Sequence, residues 1–312
     1  MNTLFAWIKN IVALSGYTIA VTVFFLWFLF PADFFRQWAR EYIQSLFPQY
    51  LVNIDEVALQ FPGKLALTDI SVHNSKNDTK LVAIDSATIW PDFSAMILTG
   101  QGVLQYRLNL YRGRVSGEIK PSGPGVYSLE AIARGIRVEN ADEVKRLIRR
   151  KVKGTAQGEV LCRITPAKHD ISFRAGQLRI EHGEIGLQGL MFGYEKIPFT
   201  HIFCRIAGDM KGLSVKEGII QSPLFMGDFS GELQLASVME ESRVEFTGRI
   251  QPRPPFFAHF PENLLEMVHQ EVPPDGITCV VRGMLKEPGI KFGALGKVSR
   301  LLERDVIPGI RN

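Results

Sequence analysis

The chain has 312 residues, a formal net charge of +4 and a sequence pI near 8.9. That surplus is too weak to argue for a nucleic-acid partner. The 3 cysteines are far apart, with no CxxC or metal-ligand spacing, so they supply neither a disulfide framework nor a zinc site. Cys162, Cys204 and Cys279 each sit in an alternating apolar stretch, where a free thiol packs as a small hydrophobe.

Residues 1–10 are a short start, and from Ile11 to Phe30 the chain carries no charge. At about 1.5 Å per residue this stretch reaches ~30 Å, the thickness of a bilayer's hydrocarbon core, so the spacing predicts a transmembrane helix over 11–30. Trp7 precedes it, Phe24, Phe25, Trp27, Phe28 and Phe30 crowd its far end, and Pro31 stops it. A cleavable signal peptide would need a shorter apolar core and a small-residue exit, where this chain has Leu-Phe-Pro-Ala-Asp-Phe. Lys9 on one side and Arg36 and Arg40 on the other leave orientation nearly balanced on charge.

Over 31–49 the period is helical: Phe35, Trp38, Ala39, Tyr42, Ile43 and Leu46 recur at three- and four-residue spacings, and Pro48 ends the run. Such a helix either lies in the membrane interface or caps the domain that follows. From Tyr50 the period changes to two. Leu104, Tyr106, Leu108 and Leu110 alternate with Gln105, Arg107 and Asn109, and an Arg112-Gly113 turn leads into a return strand. Similar alternation appears at Leu65–Leu67, Ile84–Ile89, Val160–Ile164, Leu178–Ile180, Ile202–Ile206, Val244–Ile250 and Ile277–Val281. A loose repeat of glycine, then Glu or Gln, then an apolar strand recurs at Gly158, Gly176, Gly183 and Gly231, with partial copies at Gly117 and Gly283. Glycine at a strand start would make turns or bulges that bend the sheet. The expectation is a mainly β fold: one long, curved antiparallel sheet over 50–286, apolar on one face, with a few short helices.

Two helices interrupt this pattern. Asn140-Ala-Asp-Glu143 reads as a capping box, followed by Val144, Leu147, Ile148 and Val152 on one face, while Lys145, Arg146, Arg149, Arg150, Lys151 and Lys153 form a basic contact face. A second helix follows the Pro-rich 251–257 segment, with Pro261 in its first turn and Leu264, Leu265 and Val268 facing inward. Phe256, Phe257 and Phe260 either pack onto the sheet or form a docking patch. Residues 287–312 read as a basic tail with a short helix around Leu295, Val298, Leu301 and Leu302.

There is no GxSxG, HExxH, P-loop or GxGxxG pattern, and the histidines are scattered. The expectation is a non-enzyme with no cofactor and no metal. The residues that remain are an apolar set, Leu104, Tyr106, Leu108, Leu233, Leu235 and Phe246, which line either a packed core or an open groove.

The order of parts, with YLVNIDEVALQFPGKLALTDISV from Tyr50 to Val72, resembles the N-terminal region of GspN-type type II secretion system proteins. Ile84–Pro91 (IDSATIWP), Leu110–Gly117 (LYRGRVSG) and Gly283–Lys291 (GMLKEPGIK) extend the resemblance over residues 1–292. It implies a single-span protein of the cell inner membrane with its bulk in the periplasm, acting as a secretion accessory through contacts with other secretion-system proteins. The N-terminal arrangement is also similar to AsmA-like proteins, which implies the alternative of phospholipid bound or moved along an apolar β-sheet groove. The first reading expects a filled sheet interior and the second an open one.

Overall fold

The computed structural model describes residues 28–293 except 62, 169, 192–193, 237, 259, 261–264 and 266–271, and before them residues 7, 13–18, 21–22 and 24–25. The fold is mainly β. Its first six strands are β1 (Tyr50–Gln60), β2 (Lys64–Asn74), β3 (Lys80–Pro91), β4 (Leu104–Leu110), β5 (Gly113–Gly123) and β6 (Val126–Arg137). The long strands β7 (Val152–Thr165), β8 (Asp170–Met191) and β9 (Tyr194–Asp209) follow. The sheet closes with β10 (Gly212–Gln221), β11 (Phe225–Gln234), β12 (Arg243–Pro252), β13 (Ile277–Met284) and β14 (Glu287–Phe292). Spatial order equals sequence order from β1 to β14, and every neighbouring pair is antiparallel. After the 11–30 stretch, α1 (Ala32–Leu46), α2 (Phe93–Thr99) and α3 (Asp142–Ile148) accompany the sheet.

Cross-strand register turns the alternation of single strands into rows that run across the whole sheet. One row passes through Leu59, Leu65, Ile89, Tyr106, Gly117, Ala131, Val160, Gly176, Ile206, Val215, Gly231, Phe246, Val281 and Ile290. The next passes through Val57, Leu67, Ala87, Leu108, Val115, Ala133, Gly158, Leu178, Cys204, Gly218, Phe229, Gly248, Cys279 and Phe292. Neither row contains a charged side chain, and the Tyr106 hydroxyl is hydrogen-bonded to a backbone carbonyl. Since strands lie ~4.8 Å apart, thirteen spacings give an apolar strip about 60 Å long. The opposite face carries the intervening residues, among them Gln105, Arg107, Glu118, Glu159, Gln177, Arg205, Glu232 and Glu245.

Of the repeated glycines, Gly117, Gly158, Gly176 and Gly231 lie inside these rows and not at strand starts as expected. Gly117 is crossed by the Tyr106 ring, whose Oη donates to the Glu130 carbonyl at 2.8 Å, and a Cβ on Gly117 would lie 1.8 Å from that oxygen. At Gly218 a Cβ would lie 2.4 Å from the Phe229 ring. Aromatic side chains thus cover glycines on the adjacent strand, a pairing that lets a sheet bend toward its apolar face. The bend is evident at the cavity described below, where Ile185 and Leu187 of β8 meet Ile290 and Phe292 of β14.

Both ends of the strip are packed. At the first strands Ile54, Val57, Leu67, Ile70 and Ala87 form a core onto which Phe30, Phe35 and Ala39 close. Helix α1 runs antiparallel to β1 and covers that edge, as the capping alternative expects. Arg36 and Arg40 donate to the carbonyls of Asp55 and Ile54, both at 2.8 Å, at the point where Asp55 drops out of the β1–β2 register. At the last strands Leu224, Phe225, Phe256, Phe260 and Ile277 form a second core. Phe256 and Phe260 are therefore packed and are not a docking patch.

Other expectations are corrected. The hairpin turn is Tyr111-Arg112, with φ of 50° and 60°, one residue earlier than expected. Helix α3 ends at Ile148, because Val152 already pairs with Ile185 as the first residue of β7, and its N-cap is Ala141 with no side-chain cap. The sheet runs to Phe292, so 287–292 is strand and not tail. The remaining tail with its expected helix, and most of the helix expected from Pro261, lie outside the described residues. Parts of the 11–30 stretch do too. Residues 13–18 in it are helical, and among the described residues no helix is long and apolar enough to cross a membrane.

Gly117→Ala is expected to destabilise the fold by about 2 kcal/mol or more, because a strand backbone must give way. Gly102→Ala, with nothing within 4 Å of its Cβ, should stay within about 0.5 kcal/mol. Urea denaturation of both variants checks the pair.

Candidate functional site

The apolar residues chosen from sequence fall on one face. Tyr106 and Phe246 belong to the first row, Leu108 to the second, and Leu104 and Leu233 to a third that also holds Ile119, Leu129, Cys162, Phe173 and Leu213. Leu235 lies just beyond the end of β11. These residues do not share one environment. Tyr106 is buried, Leu108 packs against the first core, and Leu104 is 41% exposed. Between the two cores many row residues on β5 to β9 are half-buried, including Val115, Ile119, Leu129, Ala131, Val160 and Ile206, while Cys162, Gly176 and Cys204 are buried. The sheet's bend shelters them, and at one end α3 bridges β3 and the 239–241 turn, where Val82, Val144, Leu147 and Met239 line one pocket; together these make an apolar trough.

Toward the last strands the trough deepens into a cavity of ≈ 330 Å³. Ile185 and Leu187 of β8 and Tyr194 and Ile197 of β9 form one wall, and Phe229, Phe246, Val281, Ile290 and Phe292 form the other. The start of β9 is tied down beside it by Tyr194, whose Oη donates to the Pro255 carbonyl at 2.5 Å. Phe229 and Phe246 meet edge to face, with centroids 6.2 Å apart. Arg150 stands on the rim: its Nε is buried and has no partner. Asp228 and Arg249 also border the cavity, but they pair in register on the polar face.

The basic residues predicted as one contact face are not brought together. Lys145 pairs with Asp142 at 2.7 Å, Arg146 donates to the Lys80 carbonyl, Arg149 takes a left-handed conformation after α3, and Arg150 turns to the cavity. Lys153 lies on β7 and pairs with Glu184 at 2.8 Å, while Lys196 reaches the other oxygen of the same carboxylate at 2.7 Å. These two hydrogen bonds draw the Glu184 carboxyl down to about 2.

The three cysteines are free. Cys162 and Cys204 are buried, Cys279 lines the cavity, and burial pushes all three thiols up. Each occupies a place in an apolar row. A second depression of ≈ 420 Å³ lies on the opposite face, where Glu130 and Glu159 alternate with Arg174, Arg205 and Lys216. Arg205 is paired with Glu217 at 2.9 Å, so this depression is a mixed, internally neutralised surface. Among the described residues no group of His, Cys, Asp and Glu is placed to hold a metal ion.

Compared with models of known protein families, with curated proteins and with solved structures, the chain gave no match. Function must therefore be argued from the trough.

Sequence reasoning missed the contribution of β8 and β9 to the trough and the position of Arg150. The available signal was the glycine–aromatic pairing, because Phe229 and Phe246 each align with a glycine on a neighbouring strand.

Two outcomes are expected here. Leu108→Asp places an unpaired charge against the first core and should cost about 3 kcal/mol or more, whereas Leu104→Asp on the same face should cost less than about 1 kcal/mol; chemical denaturation of each variant measures the contrast. For Glu184 the folded value lies below the ordinary 4.5, so its stabilisation is present above that range and is lost as pH falls toward about 2. Glu184→Gln should flatten the decline in thermal stability within that window and leave the rest of the pH profile unchanged.

Proposed function

We propose that this chain is an inner-membrane-anchored periplasmic module that holds phospholipid acyl chains along the apolar trough. The observation that carries the reading is the pair of uninterrupted apolar rows, packed at both ends and half-open between β5 and β9. Such a face in water demands either a second layer or an apolar occupant. The acyl chains of one leaflet extend ~15 Å, so the strip is long enough for several lipids in file.

The length and lack of charge of Ile11–Phe30 support the single-span anchor, and the resemblance to GspN-type and AsmA-like proteins supports the inner-membrane location. Of the two readings that the resemblance implies, a secretion accessory working through protein contacts calls for a filled interior. The incompletely buried rows favour the phospholipid reading. Arg150 supplies a donor at the cavity rim where an anionic headgroup would lie.

A photoactivatable side chain placed at Ile206 or at Arg205 of the full chain tests this directly. The two are adjacent on β9 and face opposite sides of the sheet. In bacteria grown with radiolabelled phosphate, cross-linking should transfer label from phospholipid to the Ile206 variant and not to the Arg205 variant. Equal labelling, or none at either position, would overturn the reading.

A further inference from the structure

One end of the first strands carries an apolar surface that neither core covers. Helix α2 joins β3 to β4 and presents Ile97 and Leu98 at 84% and 83% exposure, with Phe93 and Met96 also exposed. Phe61, in the β1–β2 turn, is 74% exposed. The two are neighbours: a Cβ on Gly63 would lie 3.8 Å from the Phe93 ring. The helix is well built despite its length. The Asp92 side chain accepts from the Ala95 N–H at 3.0 Å, and Gly100 closes the C-terminus in a left-handed conformation. Side chains this apolar, held outward by a capped helix, mark an interaction surface.

Its position identifies the occupant. Because Arg40 meets Ile54 and Arg36 meets Asp55, α1 runs back along β1 toward Gln60, and its N-terminus is joined through Pro31 to the Ile11–Phe30 stretch. The β1–β2 turn lies at that same end, and so does α2, since Leu65 pairs with Ile89 and Pro91 with Leu104. Above the apolar tip sits Trp90, with Lys64 and Arg107 each 5.6 Å from its ring centroid. From Phe93 to Tyr106 the chain has no charge at all. An apolar tip below a Trp and two cations is the layering of a bilayer interface, with headgroup phosphates at the cation level.

We propose that the β1–β2 turn and α2 form a second membrane contact, inserted into the leaflet from which the anchor emerges. The inference rests on the membrane-anchor reading of Ile11–Phe30. The apolar surface then continues from the bilayer into the trough, since Pro91 and Leu104, which flank α2, begin the third row.

The test uses the full chain reconstituted into vesicles of phosphatidylcholine and phosphatidylglycerol. An environment-sensitive fluorophore is attached to Phe61→Cys, Ile97→Cys, Leu98→Cys, the anchor position Leu14→Cys, or Ser230→Cys on the polar face of β11. The native thiols are raised by burial and react slowly, and the unsubstituted chain gives their background. Blue-shifted emission, quenched by a lipid-borne quencher, is expected at 61, 97 and 98 and not at 230. A chain that floats with vesicles and reports a buried position 14, yet shows positions 61, 97 and 98 as aqueous as 230, would overturn this contact and leave the anchor standing. A chain that does not float would overturn both. Labels that are aqueous in protein-free vesicles but shielded in native membranes would assign the patch to a protein partner, against the proposal.

Discussion

In an antiparallel sheet that keeps one face wet, every residue of the other face must be hidden from water by something. Among the described residues fourteen strands pair in sequence order, and no second sheet lies against them. The apolar face has only three ways to escape solvent: short helices at the ends, the sheet's own curvature, and an occupant. The glycines decide how far curvature can go. Where Gly117 and Gly218 sit beneath Tyr106 and Phe229, a side chain would collide with a neighbouring strand or ring, so the backbones close on the apolar side.

Curvature brings β8 and β9 opposite β14, and α3 bridges β3 and the 239–241 turn. Ile185, Leu187, Tyr194 and Ile197 of β8 and β9 face Ile290 and Phe292 of β14 across a partly open cavity, while at the start α1 and the first core seal the edge. Between them the rows stay half-open, and the polar face there is balanced by pairs such as Arg205 with Glu217 and Lys153 with Glu184. Exposed pairs of this kind add little stability. Their effect is to keep the outer face soluble and neutral while the inner face stays apolar.

Much of this was legible in the sequence because a strand's two-residue period survives without tertiary information. The alternation at Leu104–Leu110 and Val244–Ile250 placed Leu104, Tyr106, Leu108 and Phe246 on one face. Register was not legible, since it depends on turns and bulges. The Tyr111-Arg112 turn carries no glycine, and Gly113, the obvious turn residue, is needed where the Gly135 backbone approaches: a Cβ there would lie 2.6 Å away. The basic run 145–153 looked like a helix face because composition does not show where β7 takes over from α3. Helix α2 was missed although Asp92 and Gly100 bracket it, because its residues lack a polar face and so give no amphipathic period.

The unbroken order from β1 to β14 has a consequence for assembly. Each hairpin needs only the strand before it as a template, so the sheet can be laid down from the N-terminus as the polypeptide emerges, without waiting for distant segments. Such an architecture is also extensible: one more hairpin added at β14 would lengthen the sheet by about 10 Å without changing the pairing of the strands before it.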